Sequence, residues 1–329
     1  MKASKKLMEQ VQILLKKRGQ KAFEIAKDAI LQEKNIDEHV YEALRYFIEE
    51  SWYNVQHPAL LSLACEAVGG DPKKTTAIGA AMVLLTGAAD IHDDIIDESK
   101  IKGSKLTIFG KFGKEIALLA GDALLFKGLT FLHKACKKLP KKQSQGILNI
   151  TKQAFFEIGS AEAKETILKR KYDLAPEKYC KVIEMKGAIA EATARIGAIL
   201  GNGTPKQVEI LGHYGRTLGV LMAIRYDFID LFEPDELKNR LKNECLPLPL
   251  LYAFKDAQKQ REILLLLEKN KITEQETWKI IDLIMETKQV RNLIKKMRFL
   301  VKDEKEQLNY IKRNRIELKL LLQSALEDL

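Results

Sequence analysis

The segment Asp90-Ile91-His92-Asp93-Asp94-Ile95-Ile96-Asp97 decides how this chain is read. It closes the longest nearly apolar run in the sequence, Ala77 to Ala89, which is too short to span a bilayer and is expected to be a buried helix. On a helix, Asp93 and Asp97 stand at i and i+4, and Asp90 lies three residues before Asp93, so their carboxylates share one stripe. Like charges at this spacing destabilise a helix by about 0.2–0.5 kcal/mol, and by more where they are partly buried. A hard divalent cation offsets that repulsion: Mg²⁺ takes one or two carboxylates and completes its octahedron with water and substrate phosphate oxygens. The alternative is a solvated helix end. The metal reading is preferred because the acids continue a core helix and not a polar face.

Outward from this segment the pattern is helical. Residues 6–31 place Leu7, Val11, Leu14, Leu15, Phe23, Ile25, Ala26 and Ile30 at helical spacing, and residues 37–51 put Val40, Leu44, Phe47 and Ile48 on one face. Pro58 opens a third helix that stops at Gly69-Gly70, after which Asp71-Pro72 restarts the chain. Further helices are expected over 73–98, 113–136, 144–170, 176–201 and 205–232, then, after a polar loop, over 246–256, 259–268, 273–302 and 303–327. No stretch sustains strand alternation, and no linker is long enough to separate domains. The expected fold is all-α, a single domain of ten or more helices spanning residues 1–329.

The chain carries 55 Lys+Arg against 45 Asp+Glu, a formal charge of +10, with 46% hydrophobic and 30% charged residues. Its 19 Gly and 8 Pro are too few for an all-β or low-complexity chain. The positive balance suits a phosphorylated ligand or an anionic membrane surface. Nucleic acid is not expected, because no zinc-finger, RNP or basic-zipper pattern is present. Cys65, Cys136, Cys180 and Cys245 are scattered without a CxxC pair and read as reduced thiols of a cytoplasmic protein. The basic start, Met1-Lys2-Ala3-Ser4-Lys5-Lys6, leads into an amphipathic stretch and not a signal-peptide core. His39, His57, His92, His133 and His213 are dispersed, and no HExxH, P-loop or GxGxxG occurs. The basic run Lys288 to Lys319 reads first as a solvated helix face, and second as a peripheral membrane or partner contact.

Asp93-Asp94-Ile95-Ile96-Asp97 resembles the first aspartate-rich motif, DDxxD, of the trans-isoprenyl diphosphate synthases, the polyprenyl synthetase family. His57-Pro58-Ala59-Leu60-Leu61 and Ala67-Val68-Gly69-Gly70-Asp71 are similar to that family's "RPALL…AVGGD" segment. Ala120-Gly121-Asp122-Ala123-Leu124-Leu125 is similar to its "GDxLL", and Lys186 with Ala188 to Leu200 to its "KT…AAARLGAIL" helix. The likeness runs from about residue 40 to 256, leaving 257–329 as charged C-terminal helices. It implies the all-α isoprenoid synthase bundle with a central cavity for a prenyl tail. It further implies Mg²⁺ as cofactor, an allylic diphosphate of C15 or longer as substrate, and a homodimer or a heterodimer with a homologue. By resemblance, Asp93 and Asp97 are metal ligands and, with Lys186 on the diphosphate, the catalytic residues. Asp94 supports the motif from behind. Ala88 and Ala89, small where bulky residues limit chain length in short-chain members, favour a long tail.

The sequence departs from the family in two places. The second DDxxD motif reads Tyr226-Asp227-Phe228-Ile229-Asp230, so one ligand is a tyrosine, and Asp227 and Asp230 are left to hold a metal in shifted register or to pair with Arg225. At the isopentenyl diphosphate site the usual lysine is Asn54, an arginine is His57, a His or Gln is Thr86, and the later arginine pair falls on Lys102 and Gly103. In the loop after the second motif the family's lysine falls on Cys245, and Arg240 stands where an aspartate is usual. Lys102 and Arg225 are candidate cations for a diphosphate, which needs charge-assisted donors, and Lys238, Arg240 and Lys242 either supply replacement cations for pyrophosphate or form a solvated basic loop. The expected activity is that of a prenyltransferase with an atypical acceptor site. A terpene synthase-like lyase, or a non-catalytic subunit that binds prenyl diphosphate beside an active homologue, are the alternatives.

Overall fold

The structure, a computed structural model, describes residues 2–269 and 271–327; Met1, Asn270, Asp328 and Leu329 lie outside them. The chain opens with α1 (Lys2–Leu31) and α2 (Glu38–Tyr46), the latter running into a wide turn at Phe47–Ser51. Next come α3 (Gln56–Ala67) and α4 (Thr76–Ile96). Between α4 and the short α5 (Ile108–Phe112) lies a two-residue hairpin, β1 (Ile101–Lys102) with β2 (Lys105–Leu106). The bundle continues with α6 (Lys114–Cys136), α7 (Lys141–Leu168), α8 (Pro176–Lys186), α9 (Ala188–Leu200) and α10 (Pro205–Ile229). It ends with α11 (Pro234–Asn243), α12 (Leu248–Ala253), α13 (Ala257–Leu267), α14 (Glu274–Met285), α15 (Lys288–Gln307) and α16 (Arg315–Ser324).

The centre is α4, which packs on α6, α1 and α3, while α9 packs on α10, α3 and α7. Helix α4 is apolar all round from Ile78 to Leu85, as a helix surrounded by neighbours must be. Small residues permit that enclosure. A Cβ on Gly197 would come 2.4 Å from the Leu61 carbonyl oxygen, so α9 and α3 touch backbone to backbone. Helices α4 and α6 also pass by length and apolarity as membrane spans, but 72% of the apolar window of α4 is buried inside the fold, which marks it as a core helix; for α6 the figure is 33%.

Several boundaries differ from the periodicity, and α15 runs unbroken through the expected break between 302 and 303 to Gln307. The stretch 176–201 is two helices, broken at Gly187, where a Cβ would lie 2.9 Å from the Arg216 carbonyl oxygen of α10; that close passage leaves Lys186 at a helix end. The stretch 273–302 breaks at Thr287, whose side chain caps α15 by accepting from the Val290 N–H. The expected polar loop holds α11, a mostly charged helix docked by Leu237 and Leu241, a pair at i,i+4 too sparse to register as a period. The hairpin is too short to show alternation, and it turns at Gly103 with φ +59°.

Candidate active site

Helices α4, α7, α8 and α10, with α11 and the hairpin, enclose one cavity of about 1600 Å³. Its deep wall is apolar, formed by Phe47, Leu85, Ala88 and Leu125 among others. Trp52 stacks on Phe47 with ring centroids 4.8 Å apart, and its indole N–H donates to Asp90 at 2.7 Å. The opposite end is acidic. Eleven carboxyl side chains line the cavity (Asp90, Asp93, Asp94 and Asp97 from α4 and its end, others from α7, α10 and α11) against four basic ones, Lys102, Lys105, Lys186 and Arg240. A protein of net charge +10 thus concentrates negative charge at this one mouth.

The first motif faces the cavity. Asp93 is a third exposed, while Asp94 and Asp97 are nearly covered. Lys102, carried by β1, pairs with Asp94 at 2.6 Å and stands 3.6 Å from Asp93. Lys169, just past α7, pairs with Asp97 at 3.0 Å and donates to the Ile96 carbonyl. Burial pushes the Asp94 carboxyl up to about 6 against the pull of Lys102, and burial together with Asp93 raises Asp97. Asp93, Asp94 and Asp90 hold the Lys102 ammonium charged and raise its pKa above the ordinary lysine value. Across the cavity Lys186 contacts Glu165 and lies 3.6 Å from Glu162, whose carboxyl burial lifts to about 8. Behind Asp93, His92 reaches Asp122 of α6 at 3.2 Å, with Gly121 beneath the imidazole ring.

This donor set fits Mg²⁺ at the first motif. The oxygens are hard, the desolvated carboxylates outnumber the cations near them, and only lysines on flexible stems stand on the motif. Among the described residues no group of three His, Cys, Asp or Glu side chains forms a closed cage. That suits an ion held by one or two carboxylates and completed by water and phosphate oxygens.

The second motif is arranged differently. Asp227 and Asp230 both accept from Nη1 of Arg240, at 2.7 and 2.5 Å. Tyr226 lines the cavity, half exposed, with its hydroxyl 3.4 Å from the Gln56 amide. Arg225 is buried and is not among the cavity residues. Lys238 and Lys242 line a separate cavity with Tyr172 and Leu264, so the structure does not bring them to the first motif. Of the substituted acceptor positions, Asn54 and Gly103 line the cavity. The Thr86 hydroxyl donates back to the Met82 carbonyl at 2.9 Å, and half-buried His57 faces Thr193, with burial pushing its imidazole down to about 4. Sequence reasoning missed Glu162, Glu165 and Lys169. Glu165 and Lys169 stand at i,i+4 and look like an ordinary surface pair; only the placing of α7 turns them inward.

An all-α bundle around an apolar cavity with acidic helix ends at its mouth is the architecture of a prenyl synthase fold. The chain superposes on geranylgeranyl pyrophosphate synthetase from Pyrococcus horikoshii with a TM-score of 0.84, covering 98% of this chain and 99% of that one at 22% identity. It also superposes on the geranylgeranyl pyrophosphate synthetase from Geoglobus acetivorans with a TM-score of 0.81, over 95% and 99% at 21% identity. In sequence it is 30% identical over 180 residues to the short chain isoprenyl diphosphate synthase of Methanothermobacter thermautotrophicus, spanning 54% of each chain. It is 28% identical over 210 residues to geranylgeranyl diphosphate synthase of Methanosarcina mazei, spanning 64% of each. These alignments thus span between half and two thirds of the relatives' length. The chain belongs to the polyprenyl synthetase family, whose model matches residues 37–284.

Proposed function

We propose that this chain is a Mg²⁺-dependent prenyltransferase of isoprenoid biosynthesis that binds and ionises an allylic prenyl diphosphate of C15 or longer and has an atypical acceptor site. The observation that carries the reading is the position of Asp93, in the last turn of α4, and Asp97, its C-cap residue, in the acidic lining of a cavity that also has an apolar wall. Mg²⁺, when bound, supplies the positive charge that draws diphosphate oxygens to these carboxylates and stabilises charge on departing pyrophosphate. Asp93 and Asp97 hold the ion, and Lys102 keeps Asp94 ionised and oriented behind them. Lys186, charged and aimed across the cavity, is the charge-assisted donor for the diphosphate. Phe47, Leu85, Ala88 and Leu125 take the tail and keep water from the allylic cation.

The acceptor end supports a departure from an ordinary isopentenyl diphosphate pocket. Burial keeps His57 neutral at pH 7, the Thr86 hydroxyl is engaged by its own helix, Gly103 offers no side chain, and Oδ1 of the Asn54 side chain accepts from the Gln56 N–H at 2.9 Å. Lys102 and Lys105 on the hairpin are the cations left at that end. The same observation favours a lyase as the second reading, in which ionisation is kept and water or cyclisation ends the reaction. The exposed stripe Leu118, Leu119, Phe126 and Leu129 of α6 fits a second copy or a homologous chain. All four cysteines are free thiols, which suits a cytoplasmic setting.

The test is thermal. Mg²⁺ with farnesyl or geranylgeranyl diphosphate should raise Tm, and Asp93→Ala should abolish the rise; no shift with either diphosphate sinks both readings. A radiolabel assay with and without isopentenyl diphosphate then separates them. An elongated diphosphate means transferase, and a hydrocarbon or alcohol means lyase. Activity seen only on adding a homologue marks a subunit.

A further inference from the structure

The residues of the second acidic motif do not fit the divalent ion that the family resemblance places there. Arg240 is 7% exposed and is held on every side. Its Nη1 donates to Asp227 Oδ1 at 2.7 Å and to Asp230 Oδ2 at 2.5 Å, its Nη2 to the Tyr179 hydroxyl at 3.0 Å, and its Nε to the Cys245 carbonyl at 3.2 Å. Glu244 stands 3.6 Å from the same Nε. The other oxygen of Asp227 accepts the Leu248 N–H at 2.8 Å, so both of its oxygens are engaged. The Tyr179 hydroxyl in turn donates a hydrogen bond to Glu165 at 3.2 Å, tying the cluster to the wall that carries Lys186. Helix α11 sets this geometry, because Leu237, buried in the core one turn before Arg240, seats the helix over α10.

A guanidinium does not deprotonate in a protein, and its planar fork matches two carboxylates at once. A metal at Asp227 and Asp230 would have to displace it from several hydrogen bonds and then sit beside a buried positive charge. The first motif differs in kind: Lys102 is half exposed and stands on a two-residue hairpin, and a lysine ammonium on a flexible stem yields readily to an incoming ion.

We propose that Arg240 permanently takes the place of a divalent ion on Asp227 and Asp230, so that this chain binds metal through the first acidic motif alone. The inference deepens the proposed function, since it takes Asp93 and Asp97 as the metal ligands. The guanidinium gives the second motif a fixed single charge with no dependence on metal concentration, and one pole of the pyrophosphate-binding mouth becomes part of the fold.

Mn²⁺ binding followed by electron paramagnetic resonance, with inorganic pyrophosphate present, tests this without turnover. Wild type and Asp230→Asn should bind the same number of Mn²⁺ ions with closely similar Kd. Arg240→Ala should gain one Mn²⁺ equivalent, lost again in Arg240→Ala/Asp230→Asn. A lower stoichiometry in Asp230→Asn, or binding weakened about tenfold or more as expected for a lost ligand, overturns the proposal. So does a folded Arg240→Ala that gains no ion. Should Arg240→Ala not fold, Asp230→Asn decides, because asparagine preserves size and one acceptor oxygen. Asp93→Asn reports separately: if it leaves Mn²⁺ binding intact, or if the wild type binds none, the reading of Asp93 and Asp97 fails while the gain in Arg240→Ala still decides the role of Arg240.

Discussion

His57 stands where the family has an arginine, and the substitution changes charge as well as size. The Thr193 hydroxyl donates to the Ile189 carbonyl at 2.7 Å, which leaves its oxygen as acceptor for the His57 ring nitrogen at 3.4 Å. Burial lowers the folded pKa to about 4 from an ordinary 6.5. A depressed folded value means that the unfolded chain binds the extra proton first, so the stability due to neutral His57 is complete above pH 6.5 and is lost as pH falls towards 4. His57→Gln should therefore flatten the decline of Tm between neutral pH and about pH 4.5, as followed by circular dichroism. An unchanged acid slope would mean that His57 charges freely in the fold. The departures at Asn54, His57, Thr86 and Gly103 were legible as residue types, with Lys102 as the remaining cation at that end. That the Thr86 hydroxyl is turned back on Met82 was not, since the choice of rotamer belongs to the packed helix.

At the scale of the element, α4 does two jobs with one sequence. Its residues from Ile78 to Leu85 form the core, and its last turn, with Asp93, lines the cavity. Ala89, on the turn between, lines the cavity. Ala89→Phe should fill tail space and shorten the longest product or the longest diphosphate that raises Tm, read by chromatography of radiolabelled products; an unchanged length distribution would place the tail along another wall. The existence of α4, α6 and α10 was plain from apolar periodicity. The break at Gly187, the hairpin that carries Lys102, and α11 were not. Each depends on what lies across from it: a backbone approach, a two-residue pairing, and a docking site for Leu237.

For the whole molecule, the +10 charge and the acidic cavity are complementary. Glu162 and Glu244 have folded values raised to about 8 by burial from an ordinary 4.5, so the folded state holds protons that the unfolded chain has released. Their contribution is present below pH 4.5 and is lost as pH rises through 8, so the apoprotein should lose Tm across that window, and Mg²⁺ with pyrophosphate should restore more of it at the alkaline end. Differential scanning calorimetry from about pH 6 to pH 9 checks the direction; a Tm that climbs with pH would mean these acids ionise at no cost. If the exposed apolar stripe of α6 seats a second copy, as proposed, Phe126→Glu should lower the mass read by light scattering, whereas an unchanged mass would leave that face without a role in assembly. By itself the sequence determined the helical class, the buried course of α4 and the acidic stripe of Asp93 and Asp97, because helical period and local charge spacing are written in neighbouring residues. Only the tertiary structure decided that Arg240 closes on Asp227 and Asp230, that Glu165 and Lys169 turn inward, and that Lys238 and Lys242 face another cavity. Those placements join side chains on different helices, and the docking of α7, α10 and α11 sets the distances that make one cation a ligand and another a surface charge.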